Sequence, residues 1–263
     1  MKPAIGQFIP GNSILHRADP RTKILMTIIY MVAVMFIDTF MGYGVAAAFL
    51  VVAVIFSRIP VKYVLRSIKP LLFIILFTIL LNVLFYKGEM LLWEWGFLHI
   101  YKEGILFAAK MALRILVLVA GASLLTFTTS SIALTDGLER LMSPLERIRF
   151  PAHDIAMMMS IALRFIPTFS EETDRIMKAQ SSRGADFDTG NLLSKMKSFI
   201  PVIIPLIISA FRRAEDLAVA MESRCYRGGK GRTRFRVLKF SWNDLVISAA
   251  VIGLLAGILL CKL

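Results

Sequence analysis

Two blocks of this sequence, Leu71–Phe85 and Leu245–Leu260, contain no Asp, Glu, Lys or Arg. About 18–20 predominantly apolar residues cross the hydrocarbon core of a bilayer as a helix. With their apolar flanks, these blocks therefore point to membrane helices. Composition agrees: 57% of the 263 residues are hydrophobic, against about 45–50% in a soluble domain. A soluble globular chain is excluded first.

Hydropathy places five segments, roughly Ile24–Ile37, Tyr43–Phe56, Ile68–Tyr86, Gly104–Thr126 and Asp244–Cys261. The first two are short and joined by a tight turn around Asp38–Gly42. They span thinly, tilt, or pack as a buried hairpin; length allows all three. Pro10 and Gly11 interrupt the first residues before any apolar core forms, so no cleavable signal peptide is expected.

The formal charge is +13, from 31 Lys+Arg against 18 Asp+Glu. In a soluble chain such an excess suggests nucleic acid; in a membrane chain it is tested first against orientation. Lys2, Arg17, Arg21 and Lys23 precede the first segment, and Arg58, Lys62, Arg66 and Lys69 follow the second. The loop after the third carries Lys87 and Lys102 against Glu89, Glu94 and Glu103, with Trp93, Trp95, Phe97 and Tyr101 suited to an outer interface. Alternation then puts the N-terminus, the Arg58–Lys69 loop and residues 128–241 in the cytoplasm. That last stretch holds 18 Lys+Arg against 12 Asp+Glu. The charge is thus explained by topology, and no nucleic-acid partner is expected.

Residues 128–241 are not a loop. Ile132–Leu141 reads as a short helix stopped by Ser143–Pro144. After Pro151, a residue suited to a first helical position, Ile155, Met158, Met159, Ala162, Phe165, Ile166, Phe169, Ile176 and Met177 recur at helical spacing. Glu171/Arg175 and Asp174/Lys178 are i,i+4 pairs in the favourable order. A kink is expected at Pro167, and Gly184 ends the run. A second amphipathic stretch runs from near Leu192 past Pro201 and Pro205 to Met221, and stops at Tyr226–Gly229. Both long helices end alike, in Ser182-Arg183-Gly184 and Ser223-Arg224-Cys225. An arginine in a last turn suits the helix macrodipole. It also suits a partner, because the planar guanidinium pairs a carboxylate bidentately. Spacing leaves both readings open.

Four stretches carry a resemblance: His16-Arg17-Ala18-Asp19-Pro20-Arg21-Thr22-Lys23, Ile161-Ala162-Leu163-Arg164-Phe165-Ile166-Pro167, Ala179–Phe187, and Phe211-Arg212-Arg213-Ala214-Glu215-Asp216-Leu217-Ala218 running into Glu222–Gly229. In this order they resemble the transmembrane T component of energy-coupling-factor transporters, and look more like the shared vitamin-transporter type than a dedicated one. The resemblance implies an all-α integral membrane protein with about five membrane helices and a module of long amphipathic coupling helices. Its implied domains are 1–127, 128–241 and 242–263. It implies a non-catalytic scaffold without cofactor or metal, working with two ATPase subunits and a membrane S component that captures a vitamin or metal ion. Short Ala-Arg-Gly motifs dock the ATPases in that family; carried over, the docking residues are Arg183 and Arg224 with Ser182, Gly184 and Ser223. Cys225 departs from the pattern, placing a side chain where a left-handed cap is wanted. Met158, Met159, Phe165, Phe169 and Met177 offer an adaptable apolar face to the S component, or form core between the coupling helices.

Other features carry less. His153 and Asp154 are adjacent and diverge on a helix, so they make a poor catalytic pair. Gly184–Gly190 with Asp186 and Asp188 lacks the ligand count of a calcium loop. Gly228-Gly229-Lys230-Gly231 lacks Walker A spacing. Arg227–Lys239, rich in cations, reads as an anchor beside anionic lipid. Lys110 and Arg114 lie within the fourth segment, either snorkelling or making an interior contact. Gly253 and Gly257 form a GxxxG pattern. Cys225 and Cys261 are too few for a disulfide framework or a cysteine-built metal site. The rival readings are a permease of an ordinary ABC importer, which usually offers one helix tip, and a membrane enzyme, which needs clustered acids or histidines at the membrane face.

Overall fold

A computed structural model describes residues 8–86, 88–95, 98–148, 150–187, 191–228 and 240–260. Lys87, Phe97, Asp188, Gly190, the basic stretch beyond Gly228 and Cys261–Lys262 lie outside the described residues, as do the side chains of Trp93 and Trp95. The described residues form two compact units, one within 8–141 and 240–260, the other within 142–228.

The larger unit contains α1 (Ile14–Arg17), α2 (Pro20–Met35), α3 (Phe40–Ser57), α4 (Val61–Ile68), α5 (Leu72–Phe85), α6 (Lys102–Thr128), α7 (Ser131–Met142) and α10 (Trp242–Leu260). A 3₁₀ turn at Lys69–Leu71 joins α4 to α5. The loop expected after α5 contains a short antiparallel hairpin, β1 (Leu91–Trp95) with β2 (Leu98–Tyr101), bulged between Leu91 and Trp93. Four helical stretches among the described residues are long and apolar enough to cross a membrane: Phe40–Ser57, Val61–Phe85, Lys102–Thr128 and Trp242–Leu260. The fifth expected segment falls in α2. Its 16 residues give about 24 Å of helix, short of the ~30 Å core. Its inner side is buried by α3, α6 and α10 through Tyr30, Val34, Ala46, Leu50, Val117, Leu124, Val251 and Leu254.

The His16–Lys23 motif ties this unit together. Asp19 caps α2 by accepting the Arg21 backbone N–H at 2.9 Å, and its carboxylate takes both Nε and Nη2 of Arg21. The Asp19 backbone N–H donates at 2.7 Å to the buried carboxylate of Asp244 at the start of α10, which also accepts from the Ser241 N–H. Lys23 Nζ donates to the carbonyls of His16 and Thr128 and to the Thr129 hydroxyl. A buried cation and two buried carboxylates are tolerated here because each has several partners.

Arg114 makes the interior contact. It donates to the Ile37 carbonyl at 2.7 Å and the Tyr43 hydroxyl at 3.0 Å, beside Asp38 at 3.9 Å. It thereby binds the open carbonyl end of α2 to the α2–α3 turn, while Lys110 lies 5.5 Å from the Phe40 ring centroid. Close helix approach comes not from Gly253, which faces open space, but from Gly121, where any Cβ would collide with the Tyr30 ring.

The smaller unit contains a 3₁₀ stretch at Ser143–Ile148, then α8 (Ala152–Ser182) and α9 (Leu192–Ser223). Pro151 is the N-cap of α8 rather than its first residue. The helices are assigned unbroken through Pro167, Pro201 and Pro205. All three prolines are exposed.

Candidate docking site

The two long helices run antiparallel. Met157 and Ile161 of α8 share a groove of about 440 Å³ with Leu217, Met221 and Arg224 of α9. Further along, Arg213 Nη2 bridges to Glu172 at 3.0 Å and its guanidinium lies 5.8 Å from the Phe169 centroid. Beyond α8, the Phe187 ring meets Phe199 at 5.4 Å. Numbers rise along α8 as they fall along α9, so the C-terminal ends of the two helices point opposite ways. The stretch of α8 from Met157 to Arg183 measures about 40 Å at 1.5 Å per residue. Arg183 and Arg224 therefore stand at opposite ends of the pair.

The two ends are built alike. Arg183 caps α8 at φ −92°, ψ 8°, and Arg224 caps α9 at φ −91°, ψ 12°. The next residue is left-handed in both, Gly184 at φ 88° and Cys225 at φ 57°. The Gly184 N–H donates to Ser181 O and the Ala185 N–H to Gln180 O. In the other helix, the Cys225 N–H donates to Glu222 O and the Tyr226 N–H to Met221 O. This doubled pattern is the Schellman cap, which satisfies orphan carbonyls and turns the chain sharply away. The serines match too: Ser182 Oγ donates back to Lys178 O and Ser223 Oγ to Ala220 O, each at 3.0 Å. The departure at Cys225 thus leaves the backbone path unchanged. A non-glycine residue accepts the left-handed state there at a cost of about 1 kcal/mol.

Both arginines are exposed, and among the described residues neither pairs with a carboxylate. Each cap's backbone closes its own hydrogen bonds, which leaves the guanidinium donors available. Ser182, Gly184 and Ser223 are exposed beside them.

The five apolar positions separate into two groups. Met158 and Met159 are exposed, whereas Phe165, Phe169 and Met177 are half-buried. The Phe165 and Phe169 rings meet at 6.1 Å, and Phe169 supports Arg213. Sequence reasoning missed the larger apolar surface, on α9: Phe199, Ile200, Ile203, Ile204, Ile207, Ile208 and Phe211 are all exposed. The run Phe199–Phe211, uncharged over its whole length, was the signal for it. It also missed the Glu172–Arg213 bridge, because partners on different helices have no fixed spacing. The Ser209 hydroxyl, then the Arg213 guanidinium, hold the Glu172 carboxyl below its ordinary value.

Residues 11–235 match the family CbiQ, described as cobalt transport protein. Three curated relatives share the name energy-coupling factor transporter transmembrane protein EcfT. That of Ruminiclostridium cellulolyticum is 55% identical over 98% of this chain and 96% of its own. The Thermosediminibacter oceani protein is 54% identical over 96% and 94%. The Acidaminococcus fermentans protein is 51% identical over 95% and 93%. With nearly full-length coverage on both sides, the chain belongs to the family of transmembrane T components of energy-coupling-factor transporters.

Proposed function

We propose that this chain is the scaffold through which two separate ATPase subunits drive reorientation of a substrate-binding S component. The observation that carries the proposal is the pair of matching arginine-capped ends, one at each end of an antiparallel helix pair. A partner with a single site needs one such end. Two equivalent ends about 40 Å apart along the helix axis suit two homologous subunits that approach and separate, each holding one end. The antiparallel helices turn that motion into relative movement of their apolar faces, on which the S component rides.

In this proposal Arg183 and Arg224 pair with acidic groove residues on the ATPases, and Ser182, Gly184 and Ser223 permit close approach. Met158, Met159, Phe165, Phe169 and Met177 contribute to the sliding face, with the exposed methionines touching the S component directly. The N-terminus and residues 128–241 lie in the cytoplasm, where ATP is available. Nucleotide binding and hydrolysis belong to the ATPases, and the scaffold carries no cofactor, metal or nucleic acid. The cargo is a vitamin or metal ion chosen by the S component, with one scaffold shared among several. Paired ATPase genes adjacent to this one, without an adjacent S component gene, are the expected arrangement.

Charged hydrogen bonds contribute about 1.5–3 kcal/mol each, or roughly 10- to 100-fold in affinity. Arg183→Glu and Arg224→Glu are each expected to weaken co-purification with the ATPases by at least that factor, with membrane insertion unchanged. Undiminished ATPase binding in both variants would reject the docking role.

A further inference from the structure

Between Asp38 and Glu89 the sequence contains no Asp or Glu. Besides Lys87, four cations fall inside that window, Arg58, Lys62, Arg66 and Lys69, and all four are exposed. Among the described residues none of them pairs with a carboxylate. Topology explains their presence on one side of the membrane but not their arrangement on α4.

At about 100° per residue, Lys62 and Arg66 fall on one edge of α4, and Lys69, the first residue of the 3₁₀ turn, continues that edge. Val61, Leu65 and Ile68 form the adjoining edge, and Val64 lies on the far side of it. Val64 is 6% exposed and faces the protein, with Tyr63 placed edge-on to Phe127 at 6.5 Å. Val61 and Leu65, by contrast, are 59% and 61% exposed. Val61 and Leu65 of the apolar row thus stand uncovered beside Lys62 and Arg66 of the basic row, while Ile68 packs partly against the core. That is the pattern of an amphipathic element at the membrane interface.

Its position agrees. α4 continues through one 3₁₀ turn into α5, a span whose apolar side chains are mostly exposed: Phe73, Leu76, Phe77 and Leu80 are all more than half uncovered. The whole stretch Val61–Phe85 has 25 residues and measures about 37 Å at 1.5 Å per residue, longer than the ~30 Å hydrocarbon core, so its α4 end reaches the headgroup layer.

We propose that α4 is a lipid-binding element, its Lys62–Arg66–Lys69 edge holding the headgroups of anionic phospholipids while Val61 and Leu65 contact the acyl chains. One amphiphile satisfies both rows. An acidic protein surface satisfies the basic row alone and leaves Val61 and Leu65 against water.

The test uses the full chain extracted in detergent and exposed to equal amounts of phosphatidylglycerol and phosphatidylcholine, with retained lipid counted by native mass spectrometry. Wild type is expected to retain phosphatidylglycerol preferentially. Lys62→Gln/Arg66→Gln/Lys69→Gln is expected to lose that preference, by about fivefold for each cation near an anionic surface. Lys62→Arg/Lys69→Arg keeps it, and Lys195→Gln/Lys197→Gln, outside the element, leaves it unchanged. Should the triple variant misfold, each single glutamine variant is expected to lose about fivefold. Unchanged preference in the glutamine variants overturns the proposal. So does a variant that keeps its lipid but loses its ATPase or S-component partners, since that outcome assigns the basic row to a protein.

Discussion

Cys225 carries a left-handed φ of 57° where the matching position at the other helix end is Gly184 at 88°. Each is followed by an amide that closes the cap, Tyr226 to Met221 O and Ala185 to Gln180 O. Cys225→Gly is expected to relieve about 1 kcal/mol of backbone strain, raising hydrogen-exchange protection of the Tyr226 amide about fivefold. Gly184→Ala is expected to lower protection of the Ala185 amide by a similar factor. No side chain crowds Gly184, so the effect is one of backbone alone. A second residue-scale prediction concerns Asp244, whose carboxylate accepts two backbone N–H groups at 2.7 and 2.6 Å. Asp244→Asn removes the charge from both bonds and forces one amide face against a donor. A loss of about 1.5–3 kcal/mol is expected, read as a lower thermal midpoint of the detergent-solubilised chain. The end signals of both helices were legible because a glycine or serine–arginine ending is local information. The role of Asp244 was not: Asp19 lies 225 positions from it, and no periodicity links them.

The elements themselves were largely readable from apolar spacing, with informative exceptions. The α2 segment scores as apolar but is only 16 residues long; its identity as a helix buried by three others depends on what packs around it. α8 runs as one helix through Pro167. Between α8 and α9, Glu172 and Arg213 form the polar bridge, with side chains 26% and 38% exposed. An exposed pair of this kind contributes about 0.2–1 kcal/mol, and a double-mutant cycle with Glu172→Gln and Arg213→Gln is expected to return a coupling in that range. Because Glu172 is held below its ordinary value of 4.5, its contribution is complete above that pH. It is lost as pH falls through the lowered folded-state value. The stability gap between wild type and Glu172→Gln is therefore expected to be constant from pH 7 to 5 and to close under stronger acid. A gap that widens on acidification contradicts the assignment.

At the scale of the whole molecule, the apolar blocks gave the membrane-length helices, and the repeated helix ending gave the two matching caps. Length and periodicity carry such features well. The uncharged run Phe199–Phe211 signals the apolar face of α9, but how much of it and of the basic edge of α4 is exposed depends on what the rest of the chain leaves uncovered. Orientation has a direct check in Cys225, which is exposed. In a Cys261→Ser background it is expected to react with a membrane-impermeant maleimide in inside-out vesicles and not in intact cells. Labelling from outside contradicts the cytoplasmic placement of residues 128–241. The central claim is that two arginine-capped ends each hold one ATPase. Its most direct test is the number of ATPase subunits retained per chain after affinity purification of the assembled transporter. Two are expected for wild type, fewer for Arg183→Glu or Arg224→Glu, and none for the double variant despite normal insertion; two ATPases still bound to the double variant would contradict the account.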